Sequence, residues 1–406
     1  MQQPSRPQKL LLWGAILAYC LIGVEIIIMI SPFALYFYSV YGPILNFLSS
    51  SALLSWTTEF FLPHMVFMDD PLVQGLSYLQ ILMVLGLCMF LYAAIPLYYG
   101  RFTNKGVVQK SFYSKVRHPQ YLFLAISGLG LLLYWPRFII LILYVNMLFV
   151  YFFLAKNEEW RMKQEVPGNY ENYMATTSMF IPGEPGAKVF SLLFGWIQPK
   201  WLAFLALYVV AMGGALAVAY GIRVHTVNVL PVVEQQGYSL VSVFPRADEE
   251  VREIFRAVRM SENTTEFLWK HKNVNLVYIM PGDFFLTALV TDEDRRFSDD
   301  MLERFPEILE WHQHKFKGGL GKFFKIFYNY VSTLAAIETN YDVERLIFVS
   351  VGDSQGHSVN GKAKFGLGVK RTPALVVDLD SYTHEVMSVI ETSGYNKWGQ
   401  MPMPTF

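Results

Sequence analysis

The stretch that decides the fold reads S-F-Y-S-K-V-R-H-P-Q-Y over residues 111–121. It continues through two apolar runs separated by Tyr134-Trp135-Pro136-Arg137, and closes on K-N-E-E-W-R-M-K-Q-E-V-P-G-N-Y-E-N-Y over residues 156–173. Crossing the roughly 30 Å of bilayer hydrocarbon takes about 20 apolar residues. The runs Tyr121–Tyr134 and Phe138–Ala155 are somewhat shorter, but close enough to read as a membrane hairpin. Two crossings return the chain to the side it left. The basic, aromatic, His-containing lead-in and the paired-carboxylate exit therefore lie at the same surface. A polar cluster where two membrane helices emerge is not needed to hold a bundle together. It suits an enzyme with one water-soluble substrate and one that lives in lipid.

Working outward, the 406 residues are 53% hydrophobic with a mean hydropathy of +0.30, too apolar for an ordinary soluble protein and too long for one domain. The zero net charge conceals an uneven layout. Residues 1–222 carry 13 basic and 9 acidic side chains, and residues 223–406 carry 20 and 24. The expected architecture is a multi-pass α-helical membrane bundle over 1–222 followed by a soluble α+β domain over 223–406. Both cysteines, Cys20 and Cys88, fall in apolar runs and read as packing residues, so no disulfide framework is expected.

Three further runs complete a count of about five spans: Leu10–Ile30, Leu76–Tyr99 and Trp201–Ile222. The first lacks a small-residue cleavage site and reads as a span, not a cleaved signal. Residues 33–54, interrupted by Pro43, read as re-entrant, interfacial or spanning. Basic residues near span ends mark the cytoplasmic side. Five of them, and no acid, lie between Arg101 and Arg117; Arg6 and Lys9 precede the first span. Residues 31–75 hold Glu59, Asp69 and Asp70 without Lys or Arg. This layout predicts a multi-pass protein of a bacterial-type plasma membrane, with the hairpin brackets cytoplasmic and residues 223–406 extracytoplasmic.

Beyond Ile222 short β-rich runs alternate with turn residues: 238–244, 276–280, 284–290, 346–351 and 373–379. Residues 248–260 and 321–339 have helical periodicity, and Ser298-Asp299-Asp300 is a plausible helix start. Gly356–Lys362 fits the first seven positions of a phosphate-binding loop, but Ala363 stands where the magnesium-binding hydroxyl belongs, so a plain glycine-rich loop is expected. His312 and His314 diverge on a helix, and no metal site is expected. Glu25, in mid-span, is a candidate for the substrate channel.

Arg117-His118-Pro119-Gln120-Tyr121, with Glu158-Glu159 about forty residues later and Tyr170-x-x-Tyr173 beyond, resembles the integral-membrane methyltransferases. That group includes isoprenylcysteine carboxyl methyltransferase and the phospholipid N-methyltransferases. The resemblance covers roughly residues 100–182. It implies S-adenosyl-L-methionine as methyl donor, held by the hairpin ends, and a lipid or lipid-like acceptor. No nucleic-acid partner is expected. By the same resemblance the donor site comprises Tyr113, His118, Pro119, Gln120, Tyr121 and Glu158, with the backbone of Gly106, Val107 and Val108 over the adenosine. His118, Tyr121 and Glu158 are the candidate catalytic residues. Arg117, Glu159, Tyr170 and Tyr173 form the supporting shell.

These residue types suit the chemistry. Methyl transfer from a sulfonium is an in-line displacement with little proton traffic, so positioning and exclusion of water carry it. A cationic donor favours aromatic faces, each worth about 0.5–2 kcal/mol, and carboxylates. The plainer reading makes Arg117 and Tyr121 interfacial anchors and the Glu pair a solvated helix end. Three departures stand out. Phe123 replaces a family Gly and is expected to crowd the hairpin; Pro167 replaces the Gly before Tyr170; and Leu154 stands where the prenylcysteine enzymes carry an Arg for the acceptor carboxylate. The last argues against a carboxylate acceptor. The rival reading is an inactive membrane anchor presenting a C-terminal binding or assembly domain.

Overall fold

The computed structural model describes residues 47–51, 53–63, 65–102, 110–166, 168–282, 342–353, 357–392, 395–396, 399–400 and 405–406. The chain forms two compact units. One takes Pro71–Ile222; the other combines Arg223–Phe406 with the segment ending at Asp70. The candidates Glu25, Gly106, Val107, Val108, Pro167, His312 and His314, the expected first span, the strand at 284–290 and the helix at 321–339 lie outside the described residues.

The first unit is helical: α1 (Pro71–Tyr78), a 3-10 turn (Leu79–Ile81), α2 (Leu82–Phe102), α3 (Pro119–Tyr134), α4 (Phe138–Glu165), α5 (Asn169–Thr176), α6 (Pro185–Phe194) and α7 (Lys200–Val229). Among the described residues three helical stretches are long and apolar enough to cross a membrane: Pro71–Leu97, Phe138–Glu165 and Lys200–Val229. The expected crossing at Tyr121–Tyr134 falls in a shorter apolar helix of 16 residues, Pro119–Tyr134. Proline explains its length. Pro119 occupies its first turn, where no amide hydrogen is needed, and Pro136 bars continuation beyond Trp135. Helix α4, by contrast, runs 28 residues, about 42 Å at 1.5 Å per residue. Its last turns therefore extend past the apolar run and carry Glu158 and Glu159.

Helices α2 and α3 approach backbone to backbone. A Cβ on Gly130 would overlap the Met83 nitrogen, and one on Gly86 would overlap the Ser127 nitrogen. Ser127 Oγ donates to the Met83 carbonyl at 2.8 Å across the same seam. Small residues permit such contact where lipid offers no hydrophobic drive for helix association. Gly130→Ala is thus expected to force the pair apart at a cost of about 1–3 kcal/mol, seen as a lowered melting temperature in detergent. An unchanged melting point would mean the seam is not tight.

The second unit is a six-stranded mixed sheet ordered β1 (Val233–Gln235), β2 (Tyr238–Ser242), β3 (Val274–Pro281), β4 (Val343–Gly352), β5 (Lys370–Asp380), β6 (Val386–Glu391). Only β2 and β3 are parallel, joined through α8 (Asp248–Met260) and α9 (Glu262–Lys270). Val251, Ile254, Phe255 and Val258 of α8 and Phe267 and Leu268 of α9 cover Val277, Ile279, Phe348, Leu375 and Val377. Alternate residues of each strand face this core, as the period of two requires. The glycine-rich loop ends in a 3-10 turn at Gly361–Phe365.

Glu59, Phe60 and Phe67 are built into this second unit. Glu59 accepts hydrogen bonds from Arg223 Nη2 at 2.7 Å, Arg371 Nη2 at 2.8 Å and the Gly368 amide at 2.8 Å. Arg223 also donates to the carbonyls of Phe60 and Phe365, and the Phe67 amide donates to the Val243 carbonyl at 2.9 Å. Both arginines are buried. A shared carboxylate is what makes two buried guanidinium groups tolerable.

Candidate active site at the hairpin brackets

The lead-in to α3 is pinned by the segment that follows α5. The Arg117 and His118 amides donate to the carbonyls of Ser178 (2.8 Å) and Met179 (3.1 Å), and the Ser178 amide donates to the Lys115 carbonyl at 3.0 Å. Tyr173 closes the clamp, its hydroxyl donating to the Tyr113 carbonyl at 2.6 Å. Helix α5 is positioned by Gly168, whose φ of +81° suits glycine and whose amide donates to Glu171 Oε2 at 2.9 Å. That residue stands one place from Pro167.

Arg117 is the hub. It is buried, with Nε donating to Glu159 Oε1 at 2.7 Å, Nη1 donating to the Met174 and Thr177 carbonyls, and Nη2 facing Glu184 Oε1 at 3.5 Å. Glu184 Oε1 also accepts from the Met179 amide at 3.0 Å. One guanidinium thus ties α4, α5 and the segment leading to α6 to the α3 lead-in.

His118 lies between the two carboxylates. Nδ1 is 3.5 Å from Glu158 Oε2 and Nε2 is 3.6 Å from Glu159 Oε1, while both ring nitrogens are buried and make no hydrogen bond within the described protein. Burial works against charge on the imidazole, but the two carboxylates outweigh it and raise its pKa above the ordinary value. The rings of His118 and Tyr121 stack at 5.7 Å, and Tyr121 stacks on Tyr151 at 5.3 Å. Phe180 approaches His118 at 6.0 Å.

Consecutive positions on a helix diverge by about 100°, and the Glu pair uses this. The side chain of Glu159 is 4% exposed and bound to Arg117, whereas that of Glu158 is 31% exposed. The structure therefore brings together His118, Tyr121, Glu158, Glu159 and Arg117. Tyr113 and Gln120 turn toward one another, the Tyr113 hydroxyl lying 3.3 Å from Gln120 Oε1 and 3.1 Å from the Ala93 carbonyl of α2. Pro119 is buried at the start of α3. Tyr170 and Tyr173 are buried in α5. Burial, against the pull of Arg117, pushes the Tyr173 hydroxyl up to about 12, and Tyr170 is likewise raised, first by burial and then by the two glutamates. Both stay neutral, and Tyr173 serves as a donor to the Tyr113 carbonyl. Phe123 does not crowd the hairpin as expected: it packs on Phe112, Ala93 and Tyr113, toward α2.

Three participants escape the motif reading. Tyr151 lies seven residues before Glu158, two turns along one helix face, so that spacing was its available signal. Glu184 is the last acid before an acid-free stretch that reaches to Glu234. Phe180 carries no distinguishing signal.

The fit to a cationic donor can be tested on charge. Three carboxylates are gathered here: Glu184 faces the buried Arg117, Glu159 faces Arg117 and the rim residue Lys156, whose Nζ is 3.7 Å away, and Glu158 faces His118. Against Arg117, Lys156 and a His118 whose raised pKa favours the cation, the cluster is close to neutral and meets a cationic ligand through the half-open Glu158. It also offers the aromatic faces of Tyr121 and Tyr151 and two buried imidazole nitrogens for a polar ligand. These features fit a sulfonium donor with amino-acid and ribose groups.

Residues 74–166, well under half of the chain, match the family described as phospholipid methyltransferase. Neither a curated protein nor a solved structure matches the chain.

Proposed function

We propose that the protein transfers a methyl group from S-adenosylmethionine to a lipid or lipid-like acceptor, at the surface where α3 begins and α4 ends. The observation that carries this reading is His118, whose two buried ring nitrogens face a buried and a half-open glutamate. The donor supplies an electrophilic methyl group on a sulfonium. Glu158 receives the donor's ammonium or ribose hydroxyls, His118 receives its carboxylate, and the Tyr121 ring faces the cation. Gly106, Val107 and Val108 remain the proposed cover over the adenosine, and Glu159 and Arg117 hold His118 in place. Leu154, half-buried where a cation would serve a carboxylate acceptor, favours an acceptor without one. The rival reading of an inactive anchor finds no supporting feature at this site.

Calorimetry of the detergent-purified protein with S-adenosylhomocysteine tests the reading: heat with saturation supports it, and none overturns it. His118 adds a pH signature. Its pKa is raised by folding, so the stability it contributes is complete below the unfolded value of about 6.5. That contribution is lost as pH rises through the folded value. The melting temperature should therefore fall across that window in the wild type and stay flatter in His118→Gln. Equal slopes would remove His118 from the account.

Sidedness belongs to the same proposal. The basic segments place the hairpin brackets in the cytoplasm, where the donor is made, and residues 223–406 outside. Glu59 and its neighbours, built into the second unit, must share its side. Protease added to intact spheroplasts should cleave residues 223–406 and spare 111–173. A C-terminal domain that resists until the membrane is permeabilised would reverse this assignment.

A further inference from the structure

Helix α6 divides its surface three ways. Val189, Leu192 and Leu193, with Trp196 two residues past the end, form an i, i+3, i+4, i+7 stripe and are 53%, 79%, 53% and 79% exposed. Phe190 and Phe194 lie on a second face, where the Phe190 ring packs at a tilt against Phe204 of α7 at 5.1 Å and against Phe194 at 5.9 Å. Ala187, Lys188 and Ser191 make a third, exposed face of small or polar residues. An aqueous helix of ten residues has no use for an unpartnered stripe of this kind, and ten residues, about 15 Å, cannot cross a bilayer.

We infer that α6 lies in the plane of the membrane at the interface on the site's side. Its Val189–Leu192–Leu193–Trp196 stripe is among the acyl chains, and Ala187 and Ser191 are in water. Three observations commit the stripe to lipid. The segment joins the outward end of α4 to the start of α7, both of which emerge at this surface. Helix α7, against which Phe190 packs, has exposed apolar residues of its own at Trp201, Leu205, Val209 and Val210. The flanking charges are Lys188 and Lys200, with no acid between Glu184 and Glu234, which complements anionic phospholipid headgroups.

The consequence reaches the site. Glu184 immediately precedes the first residue of α6 and contacts Arg117 and the Met179 amide. An interfacial α6 therefore fixes the depth of the Arg117–Glu159–His118 cluster at headgroup level. This step rests on the proposed function; the placement of α6 does not.

The test uses the full chain with Cys20→Ser and Cys88→Ser, carrying Leu192→Cys or Ser191→Cys labelled with an environment-sensitive fluorophore. The protein is reconstituted in phosphatidylcholine vesicles containing phosphatidylglycerol. Nitroxide-bearing lipid should quench the label at 192 several-fold more than at 191, and aqueous iodide should show the reverse. Equal iodide quenching at both positions would place the stripe in water. Protection of 192 from both quenchers would mean a second copy or another protein covers it, and either result overturns the proposal. Val189→Cys against Ala187→Cys repeats the comparison should the first pair fold poorly. Donor binding measured on the same samples separates a failure here from a failure of the methyltransferase reading.

Discussion

Glu158→Gln should lower affinity for S-adenosylhomocysteine by about 10- to 100-fold, with the melting temperature nearly unchanged. A hydrogen bond to a charged group is worth about 1.5–3 kcal/mol, and each 1.4 kcal/mol is a factor of ten in affinity. The substitution keeps the shape of the side chain and removes only its charge. Because that side chain is 31% exposed and Glu159 holds the Arg117 bond, the fold does not depend on it. Glu159→Gln should show the opposite pattern: a clear loss of stability, with donor binding affected only through the displaced His118. Isothermal calorimetry and thermal unfolding on both variants separate the two roles. Unchanged affinity in Glu158→Gln would show that this carboxylate does not hold the donor.

The contrast between the two glutamates shows what a linear motif can and cannot convey. Spacing places Glu158 and Glu159 at the end of α4 and opposite His118, because an apolar run of known length must end at the surface. Which of the pair turns inward depends on the rotation of α4, and that is set by Arg117 reaching from another segment. Spacing also cannot reveal that Tyr113 and Gln120 point toward α2, since both orientations satisfy the same sequence. Phe123 shows the limit of residue-by-residue comparison. A large ring in place of glycine implies a clash only if the neighbouring helix stays put; here the ring lies against Ala93, whose small side chain leaves it space.

The second unit repeats the lesson. Asp248–Met260 was legible because four apolar residues recur at helical spacing between charged ones, and β3 through β5 were legible as β-branched runs. Residues 386–391 read V-M-S-V-I-E, a short edge strand only partly buried, and nothing but pairing with β5 identifies it. The placement of Glu59, Phe60 and Phe67 in this unit rests on Glu59 meeting Arg223 and Arg371, more than 160 positions away, and no local pattern encodes that.

Arg117→Met is expected to be the most damaging single substitution in the first unit. The change keeps an unbranched side chain but removes the guanidinium that joins Glu159, the Met174 and Thr177 carbonyls and Glu184. Breaking a buried ion pair from one side leaves an uncompensated charge, at a cost of about 3–5 kcal/mol. The double substitution Arg117→Met with Glu159→Gln removes both buried charges and should recover a large part of that loss, because Glu184, the other carboxylate facing Arg117, is 45% exposed and stays solvated. The recovery is the coupling energy of the pair, which neither single variant can report. Thermal unfolding of the four proteins in one detergent measures it. Additive losses would mean that Arg117 acts through the Met174 and Thr177 carbonyls and Glu184, not through Glu159. A strong coupling with little return of donor binding would fit a guanidinium that holds α5 against the α3 lead-in so that His118 faces Glu158.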